Sequence, residues 1–324
     1  MKVAVIDDYQ NAFATLDCAR KLSAHELIIY PDTEKDPERL AQRLKDADAV
    51  VLTQQRSRFP RAVIERLPKL KLISQTGRNA GHIDLDACTE RGIVVSAGGT
   101  GRPGATAELT WGLILASLRH TPEEVTNLKS GKWQSTLGTD ISGKTLGIYA
   151  LGKIGSIVAR VGQAFGAHVL CWGRDASKQK ARETGYDFAE SRAALFREAD
   201  ILCLHLPLNK ETRGIVKPED LALMKKSALL VNTSRAGLIA DGALVDALKS
   251  GRPGFAAVDV YEDEPVIGAA HPLLKMANVT CTPHLGYVTR ETYENYYAIV
   301  VDQILAFAEG KPINVANPDV LKRQ

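Results

Sequence analysis

The chain has 324 residues, of which 45% are hydrophobic and 24% charged; this is a globular balance, on a chain longer than one ordinary core needs, so two domains are expected. A formal charge of +3 without a dense Lys/Arg stripe argues against a nucleic-acid partner. No apolar run approaches the roughly 20 residues that span a bilayer. Met1 to Asp7 reads as a strand ending in acids rather than a signal peptide. The expectation is a cytoplasmic protein with no membrane partner. Its five cysteines are scattered, with no Cys-x-x-Cys pair, which points to buried reduced thiols and no metal site.

Short apolar runs alternate with helix-length segments from the start, the βαβ pattern of a parallel sheet. The first strands are Val3–Ile6, Glu26–Tyr30, Ala49–Leu52, Leu70–Gln75 and Ile93–Ser96, with helical spacing at Pro37–Lys45 and Pro60–Arg66. They suffice for one small doubly wound unit. A glycine-rich loop from Ala97 to Gly104 leads into a long apolar helix, Ala105–Arg119. After a turn-rich stretch around Gly131–Gly143, a second strand series begins. Its members are Leu146–Tyr149, His168–Trp172, Ile201–His205, Ala228–Asn232, Gly254–Val258 and Val279–Thr282, a complete dinucleotide-binding sheet. A last helix, Thr289–Glu309, follows that sheet and returns to the first domain. The second domain is therefore an insertion, giving residues 1–104 plus 291–324 and residues 105–290.

The strand Leu146–Tyr149 runs into Ala150-Leu-Gly-Lys-Ile-Gly155 and then a helix. Such a turn aims backbone N–H groups and the positive helix end at a pyrophosphate. Gly152 lets the backbone approach the phosphate and Gly155 lets the helix pack on the strand, while the first glycine of the usual Gly-x-Gly-x-x-Gly is Ala150. An acid that binds the adenosine ribose is expected about 20 residues on. Gly173 holds that place and Arg174 follows, which removes repulsion toward a 2′-phosphate and offers a cation for it. The cofactor expected is NAD(P), with NADP favoured over NAD.

Three later loops each follow an apolar run and each carry a chemical group: Arg235 after Ala228–Val231, Glu264 after Phe255–Val258, and His284 after Val279–Cys281. Loops at the carboxyl ends of parallel strands are where open α/β sheets place their sites. A cation, a carboxylate and an imidazole there can bind an anionic substrate and move a proton.

The segments Leu206-Pro-Leu-Asn-Lys-Glu-Thr-Arg-Gly214, Leu230-Val-Asn-Thr-Ser-Arg235, Asp259–Pro265 and Thr282-Pro-His284 resemble signatures of the D-isomer-specific 2-hydroxyacid dehydrogenases. Gln75-Thr-Gly-Arg-Asn-Ala-Gly-His-Ile-Asp84 resembles that family's substrate-carboxylate loop, and Ala105-Thr-Ala-Glu108 the start of its interdomain helix. The resemblance covers nearly the whole chain. It implies an α/β fold of two doubly wound domains, a flavodoxin-like substrate domain and an inserted Rossmann dinucleotide-binding domain.

It also implies roles. Arg235 would grip the substrate carboxylate and keto oxygen, His284 would serve as general acid and base, and Glu264 would favour the charged imidazole and orient it. Lys153 and Ile154 would lie on the pyrophosphate between Gly152 and Gly155. Leu206, Pro207, Thr212, Thr233, Ser234 and Gly286 would line the cofactor, and Asp259 would face the nicotinamide amide. Arg78 and Asn79 stand in the carboxylate loop where many relatives carry small or aliphatic residues. Arg78 is expected to favour a substrate or cofactor with extra negative charge.

The activity implied is hydride transfer between NAD(P)H and a small anionic 2-keto or D-2-hydroxy acid, in a homodimer. Glu264, where formate dehydrogenases carry glutamine, argues against that branch. Two alternatives stay open: a cofactor-sensing binding protein like the dehydrogenase-like corepressors, and an enzyme acting on another anion such as phosphite.

Overall fold

The computed structural model describes residues 1–99 and 101–322, so Thr100 of the glycine-rich loop and the last two residues lie outside the described residues. The chain forms two compact units, one of Met1–Arg102 with the segment from Thr289 onward, the other of Pro103–Val288.

The first unit contains β1 (Lys2–Val5), β2 (Glu26–Ile29), α1 (Pro37–Leu44), β3 (Ala49–Leu52), α2 (Arg61–Ile64), β4 (Leu72–Thr76), α3 (Leu85–Glu90) and β5 (Val94–Gly98). Its five strands are all parallel, in the order β2-β1-β3-β4-β5, the flavodoxin-like arrangement with its crevice between β1 and β3. Asp36 starts α1 by accepting from the Glu38 and Arg39 amides, and Asp84 starts α3 by accepting from the Ala87 amide. β4 begins two residues later than the apolar run beginning at Leu70 suggests, because pairing with β3 opens at Ala49↔Leu72.

The second unit runs α4 (Pro103–Leu118), α5 (Thr121–Lys129), β6 (Thr145–Tyr149), α6 (Lys153–Ala164), β7 (His168–Trp172), α7 (Asp175–Thr184), β8 (Asp187–Phe188), α8 (Arg192–Glu198), β9 (Ile201–Leu204), α9 (Pro218–Leu223), β10 (Leu229–Asn232), α10 (Ala243–Ser250), β11 (Phe255–Val258) and β12 (Val279–Cys281). Its parallel sheet is seven-stranded, β12-β11-β10-β9-β6-β7-β8. Six strands are expected from the sequence; the seventh, β8, has two residues and leaves no periodic signal. Helix α5 likewise lies where the sequence reads mainly as polar, and it buries no residue.

The strands of this sheet are apolar throughout because both faces are covered. In β9, Ile201 and Cys203 pack with residues of α4, α6 and α7, while Leu202 and Leu204 pack with residues of α8, α9 and α10. This alternation is the period of two of a strand. Each fully buried large aliphatic side chain contributes about 1.5–3 kcal/mol. The final helix, α11 (Arg290–Ala308), belongs to the first unit, capped by Thr289. It drives Tyr297 into that core, edge-on to Phe13 at 5.0 Å and hydrogen-bonded to Thr53 at 2.7 Å. No helix among the described residues is long and apolar enough to cross a membrane.

Candidate active site

In the seven-stranded sheet the chain moves outward from β6 through β7 to β8, then returns to place β9 on the other side of β6. The strand order reverses between β6 and β9, and ligands of open α/β sheets bind at the carboxyl ends beside such a reversal. The glycine turn follows β6, and Leu206 and Pro207 follow β9.

The turn is built tightly on one side and left open on the other. A Cβ on Gly155 would stand 2.4 Å from the Ala150 carbonyl oxygen, so only glycine fits there. A Cβ on Gly152 would meet nothing within 4 Å. No side chain caps α6, which starts at Lys153 with Ile154 and Gly155 in its first turn. Uncapped first-turn amides beside open space fit a pyrophosphate. Ala150 holds the left-handed conformation (φ 79°) that glycine adopts freely, at a cost of roughly 1–2 kcal/mol. Its amide donates to the Trp172 carbonyl at 2.8 Å, so the turn keeps its shape without the first glycine.

At the end of β7, a Cβ on Gly173 would lie 2.7 Å from Ser177 Oγ, the acceptor for the Leu151 amide. The Arg174 guanidinium donates to Glu211 at 2.5 Å, with both side chains about three-quarters exposed (74% and 76%). Thr212 turns inward: its hydroxyl donates to the Pro207 carbonyl at 2.6 Å and accepts from the Asn209 amide at 2.8 Å. It thus braces the loop after β9. Leu206 is half-buried against the core and Pro207 is exposed.

After β10, Asn232 folds the chain back. Its amide donates to the Arg235 carbonyl at 2.9 Å and its oxygen accepts from the Ser234 amide at 3.1 Å. The Ser234 hydroxyl donates to the Leu204 carbonyl at 2.9 Å, and Thr233 pairs with Thr110 of α4 at 2.8 Å. The Arg235 guanidinium emerges from this framework exposed, donating to the Ser234 carbonyl at 2.7 Å.

The loops after β11 and β12 are joined more closely. Asp259 is fully buried and accepts from the Thr282 hydroxyl (2.6 Å), the Leu285 amide (2.7 Å) and the Gly286 amide (2.9 Å). Burial raises its carboxyl above the ordinary value, and these hydrogen bonds and the His284 charge oppose the rise. Gly286 donates its amide to Asp259, and its carbonyl accepts from Thr106 at 2.9 Å. His284 sits between, in the left-handed region (φ 54°), with Nδ1 2.5 Å from Glu264 Oε2. A carboxylate only accepts, so Nδ1 carries the proton toward Glu264, and Nε2 makes no hydrogen bond among the described residues. The other Glu264 oxygen accepts from the Tyr261 amide at 2.8 Å, and the Tyr261 hydroxyl donates to the Thr282 carbonyl at 3.0 Å.

The structure thus joins Glu264, His284, Asp259 and Gly286 in one hydrogen-bonded set and presents Arg235 from the neighbouring loop. Arg78 and Asn79 belong to the other unit, on the loop after β4, and both are exposed. Asn79 accepts from the Gly81 amide at 3.0 Å. Gly77 precedes them with φ 83°, its amide donating to the Gly98 carbonyl at 2.6 Å.

Sequence reasoning passes over Asn232, Tyr261 and His205. The first two mark themselves by place, each at or just beyond a strand end beside a proposed site residue. His205 follows β9, its ring nitrogens have no hydrogen-bond partner among the described residues, and burial lowers it to about 4.

A family model described as "D-isomer specific 2-hydroxyacid dehydrogenase, NAD binding domain" matches residues 111–286. The chain belongs to the D-isomer-specific 2-hydroxyacid dehydrogenases. It is 38% identical over 299 residues to a glyoxylate reductase of Aeropyrum pernix, covering 88% of this chain and 87% of the relative. It is 39% identical over 276 residues to a D-3-phosphoglycerate dehydrogenase of Methanocaldococcus jannaschii, covering 85% of this chain but 52% of that longer relative. Among solved structures, a phosphoglycerate oxidoreductase from Vibrio cholerae O395 is 45% identical with a TM-score of 0.92, covering 96% of this chain and 99% of its own. The protein is an NAD(P)-dependent 2-hydroxyacid dehydrogenase of this family.

Proposed function

We propose that this dehydrogenase reduces a small 2-keto acid, or oxidises the matching D-2-hydroxy acid, with His284 as general acid and base, Glu264 orienting it and Arg235 binding the substrate. The observation that carries the reading is the His284–Glu264 hydrogen bond at 2.5 Å, which commits Nδ1 and leaves Nε2 to exchange a proton. The bound nicotinamide supplies or accepts the hydride at the substrate carbon. In reduction His284 gives its Nε2 proton to the carbonyl oxygen as that oxygen gains charge, and Glu264 stabilises the imidazolium before transfer. Arg235 offers a planar fork to the substrate carboxylate and the same oxygen. Asp259, held in place by three donors, would face the nicotinamide amide.

The first turn of α6, from Gly152 to Gly155, would hold the pyrophosphate, with Leu206, Pro207, Thr233 and Ser234 beside the cofactor and Thr212 shaping that loop. Arg174 would read the 2′ position, and NADP is favoured because no carboxylate stands at position 173. A 2′-phosphate must draw Arg174 away from Glu211, an exposed pair of the kind worth about 0–1 kcal/mol. Arg78 and Asn79 would bear on the substrate carboxylate. A homodimer in the cytoplasm completes the proposal; the exposed apolar side chains Trp133, Leu137, Val125 and Leu128 on and after α5 support a second copy as partner. A sensor without catalysis gains nothing from a general acid already paired with its carboxylate.

The test is oxidation of NADPH and NADH over glyoxylate, hydroxypyruvate and pyruvate, with His284→Ala alongside. Turnover that depends on His284 supports the reading, and the preferred cofactor reports on Arg174. Turnover absent for every acid, with tight cofactor binding, would refute it. Wild-type protein is the proper first reagent for cofactor choice, since a carboxylate at position 173 also displaces Ser177.

A further inference from the structure

We propose that His271 is a positioning residue for the reaction: through Glu262 and Tyr261 it holds the turn that sets Glu264 against His284. The inference rests on the role of His284 given above.

After β11 the chain passes Asp259, Tyr261 and Glu264 and then makes an excursion into solvent. Residues 267–270 are exposed, and Gly268 and Ala269 both have positive φ (63° and 53°). The excursion returns at His271, and there the imidazole engages on three sides. Its Nε2 lies 2.8 Å from Glu262 Oε2. Its Nδ1 accepts from the Leu273 amide at 3.3 Å, capping the short helical turn Pro272–Lys275, whose Leu273 is in the core. Since Nδ1 accepts a backbone N–H, the proton of the neutral ring is on Nε2, directed at Glu262. The ring also stands edge-on to Tyr261, with centroids 5.0 Å apart at 67°.

Tyr261 is the residue through which this matters. Its amide donates to Glu264 and its hydroxyl donates to the Thr282 carbonyl, two residues before His284. One aromatic residue therefore touches both loops of the acid–base pair, and His271 packs on its ring. The His271–Glu262 bond by itself is modest: the Glu262 side chain is 52% exposed, though that of His271 is 15%. Its effect lies in where it closes the chain. It ties the residue after Tyr261 to the anchored turn at Leu273, so the loop carrying Glu264 is pinned at both ends. Displacing a catalytic group by about 1 Å can cost on the order of a hundredfold in rate.

The test uses the full chain with four variants at His271 and Glu262, His284→Ala as the reference, and two readouts. The readouts are steady-state kinetics on the best keto acid of the panel and the downfield proton signal of the His284–Glu264 hydrogen bond, assigned by its loss in His284→Ala. In His271→Ala and Glu262→Ala, kcat should fall roughly three- to tenfold with KM for the reduced cofactor unchanged, and the proton signal should broaden. His271→Gln, which keeps a donor toward Glu262, should recover most of both. His271→Asn, which keeps the acceptor for the Leu273 amide, should not. Wild-type kcat with a sharp signal in both alanine variants overturns the inference, as does recovery by asparagine but not glutamine. Should His271→Ala fail to fold, the exposed Glu262→Ala decides alone. Full turnover in His284→Ala would instead refute the assignment of His284, while the proton signal would still report on His271.

Discussion

In the seven-stranded sheet the loops after β11 and β12 are hydrogen-bonded to each other through Asp259, Tyr261 and Thr282 around Glu264 and His284, and Asn232 closes the loop after β10 onto Arg235. The loop after β4 of the five-stranded sheet differs: Arg78 makes no hydrogen bond or ion pair among the described residues, and Asn79 holds only its own turn through Gly81. Preorganised groups keep proton transfer from having to rearrange the protein as it occurs. A side chain left in solvent can be replaced without dismantling anything around it. Under the function proposed above, the bonded loops of the second unit would carry the proton transfer, and the solvent-facing Arg78 would tune recognition.

After loss of His284 itself, the largest effect should come from Arg235→Ala, which removes the fork and leaves the framework of Asn232 and Ser234 intact. A loss of about a hundredfold or more in kcat/KM is expected, with an unchanged melting temperature. A loss below fivefold would mean that another cation binds the carboxylate. Gly155→Ala comes next. Its Cβ meets the Ala150 carbonyl at 2.4 Å, so the turn must open, at about 1–3 kcal/mol. Cofactor affinity measured by fluorescence titration should fall tenfold or more, and undiminished affinity would separate this turn from cofactor binding.

Acid should weaken both units through two half-buried histidines whose shielded ring nitrogens have no hydrogen-bond partner among the described residues. Burial lowers His205 in the second unit to about 4, and burial with Arg58 nearby lowers His82 in the first to about 4. A depressed folded-state value gives stability that is complete above the ordinary 6.5 and is lost as pH falls toward 4. Each contributes up to about 3 kcal/mol over that interval. Asp259, raised by burial, works in the opposite sense at the acid end. Urea midpoints should therefore drop between pH 7 and pH 4.5, and His205→Leu should flatten the drop. An identical slope in the variant would remove His205 from the account. The smallest effect belongs to Arg78→Ala: a several-fold rise in KM for the more anionic keto acids with kcat unaltered. Unchanged kinetics and cofactor preference would end the case for Arg78 as a recognition residue.

The two sheets were legible in the sequence because strands covered on both faces are continuous apolar runs, as in Leu229–Val231 and Ala256–Val258. Strand β8 was not, since two residues carry no period, and α5 was not, since it buries nothing. In the site, chemical type and loop position pointed to Glu264 and His284, and the structure brings them into contact. Their environment was hidden. The sequence gives no sign that Ser177 fills the space beside Gly173, that Glu211 meets Arg174, or that Thr212 turns into its own loop. The Arg174–Glu211 pair joins positions 37 residues apart, and the nearby contacts of Ser177 and Thr212 depend on side-chain orientation, which leaves no residue pattern. The same holds for His271 on Tyr261.

The most direct test of the central claim takes one preparation of His284→Ala and measures NADH and NADPH binding and keto-acid turnover together. Binding within a few-fold of wild type, with kcat lowered by about 10²–10⁴, is the predicted result. Near-normal turnover would contradict the assignment of proton transfer to His284.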